Sequence, residues 1–227
     1  MISVDENLRG IRERLSEAAA RAGRDPAEIT LVAVSKMHTV EAIRAAIDAG
    51  VNTFGENKIQ EAEGKIAALG RENLKWHLIG HLQSNKARKA VQLFDVIESL
   101  DSLELATRLE RICLEEAREQ LDVFVQVDLG GEETKEGIAE EKLPELVDFL
   151  QACERLHLVG LMTLPPFFDD SEDARPFFIR LRELRDKLLP KGALSMGMTN
   201  DFEVAIEEGA THVRVGTAIF GKRPPRT

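Results

Sequence analysis

Lys36 ends the run Leu31-Val32-Ala33-Val34-Ser35-Lys36, which carries no charge before the lysine itself. An amine held beside apolar residues loses its proton more readily than one in water, and a neutral amine condenses with an aldehyde. A solvated loop lysine is the plainer reading of that position taken alone. A second group of chemistry-bearing residues lies far downstream: Ser195, Gly197, Met198 and Thr199, then Arg214, Gly216, Thr217 and Ala218. Glycines that permit close approach and threonine hydroxyls that donate make a plausible phosphate cup. A lysine facing such a cup is what a phosphorylated aldehyde requires. Each piece also has a local explanation. Gly216-Thr217 can be a turn, Ser195 and Thr199 can satisfy nearby backbone, and Arg214 can pair with Asp201 or Glu203.

Bringing these residues together demands a particular set of elements. Ile29 to Lys36 reads as a buried parallel strand, and Thr39 caps the helical pattern Val40, Ile43, Ala46, Ile47 that stops at Gly50. Lys36 therefore sits in a strand-to-helix loop. Further strands are predicted at 52–56, 76–80, 96–99, 123–127, 157–162, 193–196 and 212–215. The intervening helices run over 59–69, 87–94, 102–119, 143–153 and 176–189, and from Asn200 or Asp201 to Gly209. A helix over 4–22 precedes the first strand. Eight strands alternating with helices predict a single-domain (β/α)8 TIM barrel over residues 1–227 with an extra N-terminal helix. The doubly wound dinucleotide fold requires a glycine-rich turn where this chain has Ser35-Lys36-Met37-His38.

In a barrel the strand ends converge, so Lys36, Asn57, His81, Ser99, Asp128 and Thr163 join the downstream group at one mouth. His77, His157 and His212 fall in or beside apolar strands and read as packed core residues. His38 and His81 are better placed for chemistry, but no carboxylate partner is evident for either. The runs Glu132-Glu133 and Arg182-Glu183, followed by Arg185, Asp186 and Lys187, read as solvated faces.

Composition narrows the function classes. With 40 acidic and 30 basic residues the net charge is −10, which argues against a general nucleic-acid binder. Cys113 and Cys153 lack metal-ligand spacing and read as reduced and buried. No apolar run approaches the length of a membrane span and charges recur through the first residues, so a soluble cytoplasmic protein is expected.

The chain resembles a known family along nearly its whole length, in order. The motifs are Ala33-Val34-Ser35-Lys36; Phe54-Gly55-Glu56-Asn57 with Gln60-Glu61; and Trp76-His77-Leu78-Ile79-Gly80 with Leu82-Gln83-Ser84-Asn85-Lys86. Gly197-Met198 with Asp201, leading to Val213-Arg214-Val215-Gly216-Thr217-Ala218-Ile219-Phe220-Gly221, completes the set. They are similar to those of the pyridoxal phosphate homeostasis proteins, the YggS/PROSC family. The resemblance implies a barrel like the N-terminal domain of alanine racemase, with pyridoxal 5′-phosphate held as a Schiff base on Lys36. It further implies phosphate contacts from Ser195 or Thr199 with Gly216 and Thr217, Arg214 at the pyridine nitrogen, and Asn57 beside the ring. Lys58, Thr163 and Thr199-Asn200 depart from the commoner pattern and leave open which hydroxyl holds the phosphate.

The implied role is to buffer or deliver the cofactor, without robust turnover, with cofactor-requiring apoenzymes as recipients and a monomeric state. The alternative is an amino-acid racemase of the alanine racemase type, which needs a second acid/base on the opposite cofactor face. In that related family the residue is a tyrosine associated with an added domain; this chain contains no tyrosine. A metal-dependent aldolase finds no His/Cys cluster to support it.

Overall fold

The computed structural model describes residues 3–131 and 136–221. Its strands are β1 (Thr30–Val34), β2 (Thr53–Glu56), β3 (Lys75–Leu78), β4 (Val96–Leu100), β5 (Leu121–Gln126), β6 (Leu156–Met162), β7 (Ala193–Met198) and β8 (His212–Val215). They pair in parallel in sequence order, and β8 closes on β1 through Thr30 opposite His212 and Ala33 opposite Val215. The helices are α1 (Val4–Arg21), α2 (Val40–Asp48), α3 (Ile59–Leu69), α4 (Ala87–Leu93), α5 (Leu103–Glu115), α6 (Leu143–Gln151), α7 (Arg175–Leu188), α8 (Phe202–Glu207) and α9 (Thr217–Phe220). The arrangement is the (β/α)8 barrel that the alternation predicts.

Hydrophobic burial divides into two layers. The larger lies between barrel and helices, where Leu8, Ile11, Leu15, Phe54, Trp76, Leu109 and Phe178 are buried. A smaller cluster of Val96, Phe124 and Met162 forms separately from β4, β5 and β6. α1 starts in a capping box: Glu6 N–H donates to Ser3 Oγ and Ser3 N–H to the Glu6 carboxylate. The helix then packs across the seam between the chain's two ends. Asn7 donates to the carbonyl of Ile219 at 2.9 Å, and Arg14 forms a fork with Glu203 while stacking over Phe202.

Irregular register appears where the mouth is built. Along β7 and β8 the pairing steps from Ser195–His212 to Met198–Arg214, three residues against two. Gly197 absorbs the extra residue at φ +90°, and a Cβ there would fall 2.5 Å from that of Ala205. β4 makes the same step against β5 between Ile97 and Leu100, so Glu98 and Ser99 lie in the irregularity. Bulges re-aim side chains. Both of these fall beside the residues that matter below.

Several expectations need correction. α5 stops at Glu115 because Ala117 takes φ +50° and the Arg118 N–H returns to the carbonyl of Cys113 at 2.9 Å, a Schellman-type stop made without glycine. His157 is exposed and pairs with Asp122 at 2.8 Å; on β6 it faces away from the core. Cys153 is half-buried, whereas Cys113 is buried; burial raises both thiols to about 11, and both are free. Asp201 is the boundary residue of α8, but its carboxylate turns back to the Met198 N–H at 2.6 Å and does not cap the helix. The face of α7 is less solvated than its charges suggest: Arg182 reaches Glu208 and Arg185 reaches the carbonyl of Gly192. The Glu132-Glu133 run lies outside the described residues.

Candidate functional site

A cavity of about 510 Å³ opens at the C-terminal mouth of the barrel. Lys36 from the loop after β1, Asn57 after β2, Thr199 after β7, and Arg214, Gly216 and Thr217 at the end of β8 all line it. Six residues separated by as many as 181 positions thus share one wall-to-wall space, as the barrel reading requires. Leu164, Pro166 and Phe168 give it an apolar side. Ser195 does not line it. That side chain is fully buried in the barrel interior, where its hydroxyl is already committed.

The commitment is to Arg214. The guanidinium is 2 % exposed and donates from Nη1 to Ser195 Oγ at 2.5 Å and from Nη2 to the carbonyl of Thr163 at 2.8 Å. Ser195 Oγ donates in turn to Glu98 at 2.5 Å, and the other oxygen of Glu98 meets His77 Nδ1 at 2.6 Å. Glu98 also lies 3.8 Å from Arg214. Burial pushes the Glu98 carboxyl up, but the His77 contact and the charges of His77 and Arg214 outweigh it and hold it at about 2. Arg214 therefore pairs with Glu98, and neither Asp201 nor Glu203 takes that role. Four strands contribute to this chain, which fixes the guanidinium at the cavity floor.

Lys36 is held differently. Lys65 on α3 is nearly buried, and its Nζ donates to the carbonyl of Ser35 at 2.7 Å, to Glu56 at 2.7 Å and to Glu61 at 2.6 Å. Ser35 Oγ donates to the same Glu56 oxygen at 2.6 Å, and Glu61 accepts the N–H of Met37. Met37 sits at φ +65°, a left-handed conformation that costs a residue with a Cβ roughly 1–2 kcal/mol. Burial raises the pKa of Glu56 despite Lys65. Glu61 is lowered: its own burial opposes the shift, but Lys65 and the Met37 N–H prevail.

At the far end of the cavity, Thr199 Oγ1 accepts the N–H of Gly216 at 3.4 Å, tying the β7 and β8 loops together. Thr217 and Ala218 open α9, where first-turn N–H groups have no intrahelical acceptor. Gly216 packs tightly on β1, since a Cβ there would lie 3.1 Å from the carbonyl oxygen of Val34. Asp201 also borders the cavity; burial raises its carboxyl, opposed by the Met198 N–H and Arg214. The side-chain oxygen of Asn57 is buried without a hydrogen-bond partner. An unmatched acceptor, an amine, a fixed cation and a threonine-glycine loop pair suit a flat polar ligand with a carbonyl on one side and a phosphate on another.

Sequence reasoning missed Glu98 and Lys65, and gave no role to Glu56 and Glu61, which it met only within the family motifs. A glutamate inside an otherwise apolar strand, as in Val96-Ile97-Glu98-Ser99-Leu100, was the available signal. His81 does have carboxylate neighbours, Asp101 at 3.6 Å and Glu136 at 3.9 Å. His38 borders the cavity and stacks on Phe220 with centroids 4.8 Å apart. His77 and His212 face a second cavity of about 700 Å³ at the opposite end of the barrel, and burial lowers His212 to about 4. Of the departures from the family pattern, Lys58 is exposed before α3, and Thr163 is buried with its hydroxyl on the carbonyl of Val127. Among the described residues, no group of three or more His, Cys, Asp or Glu could hold a metal, and no helix is long and apolar enough to cross a membrane.

Residues 7–224 match the family described as "Alanine racemase, N-terminal domain". Over 225 residues the chain is 43 % identical to a pyridoxal phosphate homeostasis protein of Aquifex aeolicus, covering 96 % of this chain and 97 % of that one. A protein of the same name from Pseudomonas aeruginosa is 44 % identical over 228 residues, covering 98 % and 97 %. Among solved structures, PipY of Synechococcus elongatus with PLP bound superimposes with a TM-score of 0.80 at 41 % identity, over 93 % of this chain and all of that one. Alanine racemase from Corynebacterium glutamicum gives a TM-score of 0.67 at 17 % identity over 95 % of this chain and 61 % of the racemase, a likeness of fold alone.

Proposed function

This chain belongs to the family of pyridoxal phosphate homeostasis proteins, built on the alanine racemase N-terminal fold, and from that premise we propose that it holds pyridoxal 5′-phosphate as a Schiff base on Lys36 and buffers or delivers it. The observation that carries the reading is the convergence of Lys36, Arg214 and the Thr199–Gly216–Thr217 loops on one cavity. When bound, the cofactor supplies an aldehyde that an amine attacks, forming a carbon–nitrogen bond with loss of water.

The protein's own groups divide the labour. Lys36 provides the amine. Thr199 and the amides of Thr217 and Ala218 hold the phosphate, with Gly216 allowing close approach. Ser195 serves one step back, as the hydroxyl that orients Arg214. Asn57 lies beside the ring. Arg214 faces the ring nitrogen and keeps its own charge, so that nitrogen stays unprotonated and the ring is a weak electron sink. Such a site holds the cofactor well and activates it poorly, which favours a carrier over an enzyme. Release follows when water or an incoming amine displaces Lys36; apoenzymes that use the cofactor are the recipients, and a monomer suffices for the task. A racemase needs a second base facing the cofactor, and a chain without tyrosine lacks the one used in the related enzymes.

The test is an absorption spectrum near roughly 420 nm, a property of the protonated cofactor imine, before and after borohydride, with peptide mass mapping. The expected result is a band that disappears on reduction and a phosphopyridoxyl mass on the Lys36 peptide. No band after incubation with pyridoxal 5′-phosphate removes the function and leaves the barrel standing.

A further inference from the structure

The two peptide groups that flank Lys36 are both hydrogen-bonded to a single cluster on α3. The carbonyl of Ser35, before the lysine, accepts from Lys65 Nζ at 2.7 Å, and the N–H of Met37, after it, donates to Glu61. Lys65 and Glu61 are themselves paired at 2.6 Å, four residues apart on α3. Glu56, at the end of β2, completes the cluster and ties it to the Ser35 hydroxyl. The cluster thus holds the main chain on either side of the lysine, including a methionine in the left-handed region.

We propose that Lys65 and Glu61 are positioning residues for covalent attachment at Lys36, acting by fixing its backbone so that the amine meets an aldehyde at the mouth. This rests on the reading of Lys36 given above. Condensation joins the Lys36 nitrogen to the aldehyde carbon, and the carbonyl oxygen departs as water. Its rate depends on the approach of two atoms, and a displacement near 1 Å costs about a hundredfold. The phosphate end is built on β7, β8 and α9, and it meets this region through Gly216 against Val34 of β1, not through α3. The cluster therefore affects attachment without affecting capture of the phosphate.

Two probes separate these effects in the full-length protein. Pyridoxal 5′-phosphate with a timed borohydride quench and mass mapping reads the rate of attachment at Lys36. Pyridoxine 5′-phosphate, which carries an alcohol in place of the aldehyde, reads binding that needs no covalent bond. Glu61→Ala should slow attachment at least about tenfold while leaving pyridoxine 5′-phosphate affinity unchanged. Adding Met37→Gly should recover much of that rate, because glycine takes the left-handed conformation without steric cost. Glu61→Gln, which still accepts from Met37 but pairs less strongly with Lys65, should fall between, and it serves where the alanine variant does not fold.

Attachment at the wild-type rate in either folded variant overturns the proposal. So does a parallel loss of attachment and pyridoxine 5′-phosphate binding, which marks a merely structural role. Wild-type protein that binds pyridoxine 5′-phosphate yet forms no adduct on Lys36 removes the underlying reading and this one with it, and it is recognised before any variant is made.

Discussion

Two buried ionic networks serve the cavity, one on each side of the barrel wall. The inner one, Glu98 with His77, Ser195 and Arg214, runs from side chain to side chain and ends on a guanidinium. The outer one, Lys65 with Glu56 and Glu61, ends on peptide groups. The difference follows from what each residue has to do. Arg214 must keep one charge in one place, so its head group is bound. In the proposed role Lys36 exchanges covalent partners at its tip, and the outer network supports it through the backbone on either side.

The networks also differ in how they tolerate damage. Glu98→Ala removes the buried carboxylate that pairs with Arg214 and His77, and breaking a buried pair in this way costs ~3–5 kcal/mol. Urea unfolding should show that loss, the largest among these variants. Lys65→Met leaves Glu56 buried, but burial already raises that carboxyl, so it takes up a proton. A loss of ~1–3 kcal/mol is expected at neutral pH. A folded pKa above the unfolded one favours the fold at low pH, and the benefit disappears as pH rises through the folded value. The Lys65→Met deficit should therefore shrink as pH falls; a deficit independent of pH would place no proton on Glu56.

Acid reads the inner network with the opposite sign. Glu98 is held at about 2 against an ordinary 4.5, so its contribution is present above 4.5 and is lost as pH falls through about 2. The stability gap between wild type and Glu98→Gln should close over that interval. A gap that persists at pH 2 contradicts the ionised chain described here.

Binding sharpens the comparison at smaller cost. Thr199→Ala removes the hydroxyl proposed to hold the phosphate and should weaken pyridoxine 5′-phosphate by about tenfold, near the lower range for a hydrogen bond to a charged group. Ser195→Ala should weaken it less, and should cost ~1 kcal/mol of stability through the lost bridge between Glu98 and Arg214. The reverse order in titration calorimetry would return Ser195 to the phosphate.

The fold was legible because burial leaves a periodic trace. Leu31–Val34 of β1 is a continuous apolar run, and helices such as α1 repeat their buried positions at helical spacing. Lys36, Asn57 and Arg214 were legible as strand ends, which a barrel gathers at one mouth. The networks beneath them were not. Glu98 and Ser195 are 97 residues apart, and nothing local marks either as the other's partner. Glu61 and Lys65 show only an i, i+4 pairing, the same pattern as a surface salt bridge. Ala117 stopped α5 in a conformation for which glycine is the usual sign.

The bond from Asn7 to the carbonyl of Ile219 spans 212 residues, and β1 likewise waits for β8. During synthesis the first helix and first strand therefore leave the ribosome long before the partners that close the barrel around them. The Gly216–Thr217 wall of the cavity follows later still, since Gly216 and α9 come after β8. Lys36 therefore emerges on the nascent chain well before Arg214, Gly216 and Thr217, and the cavity they share takes shape only when β8 has paired with β1.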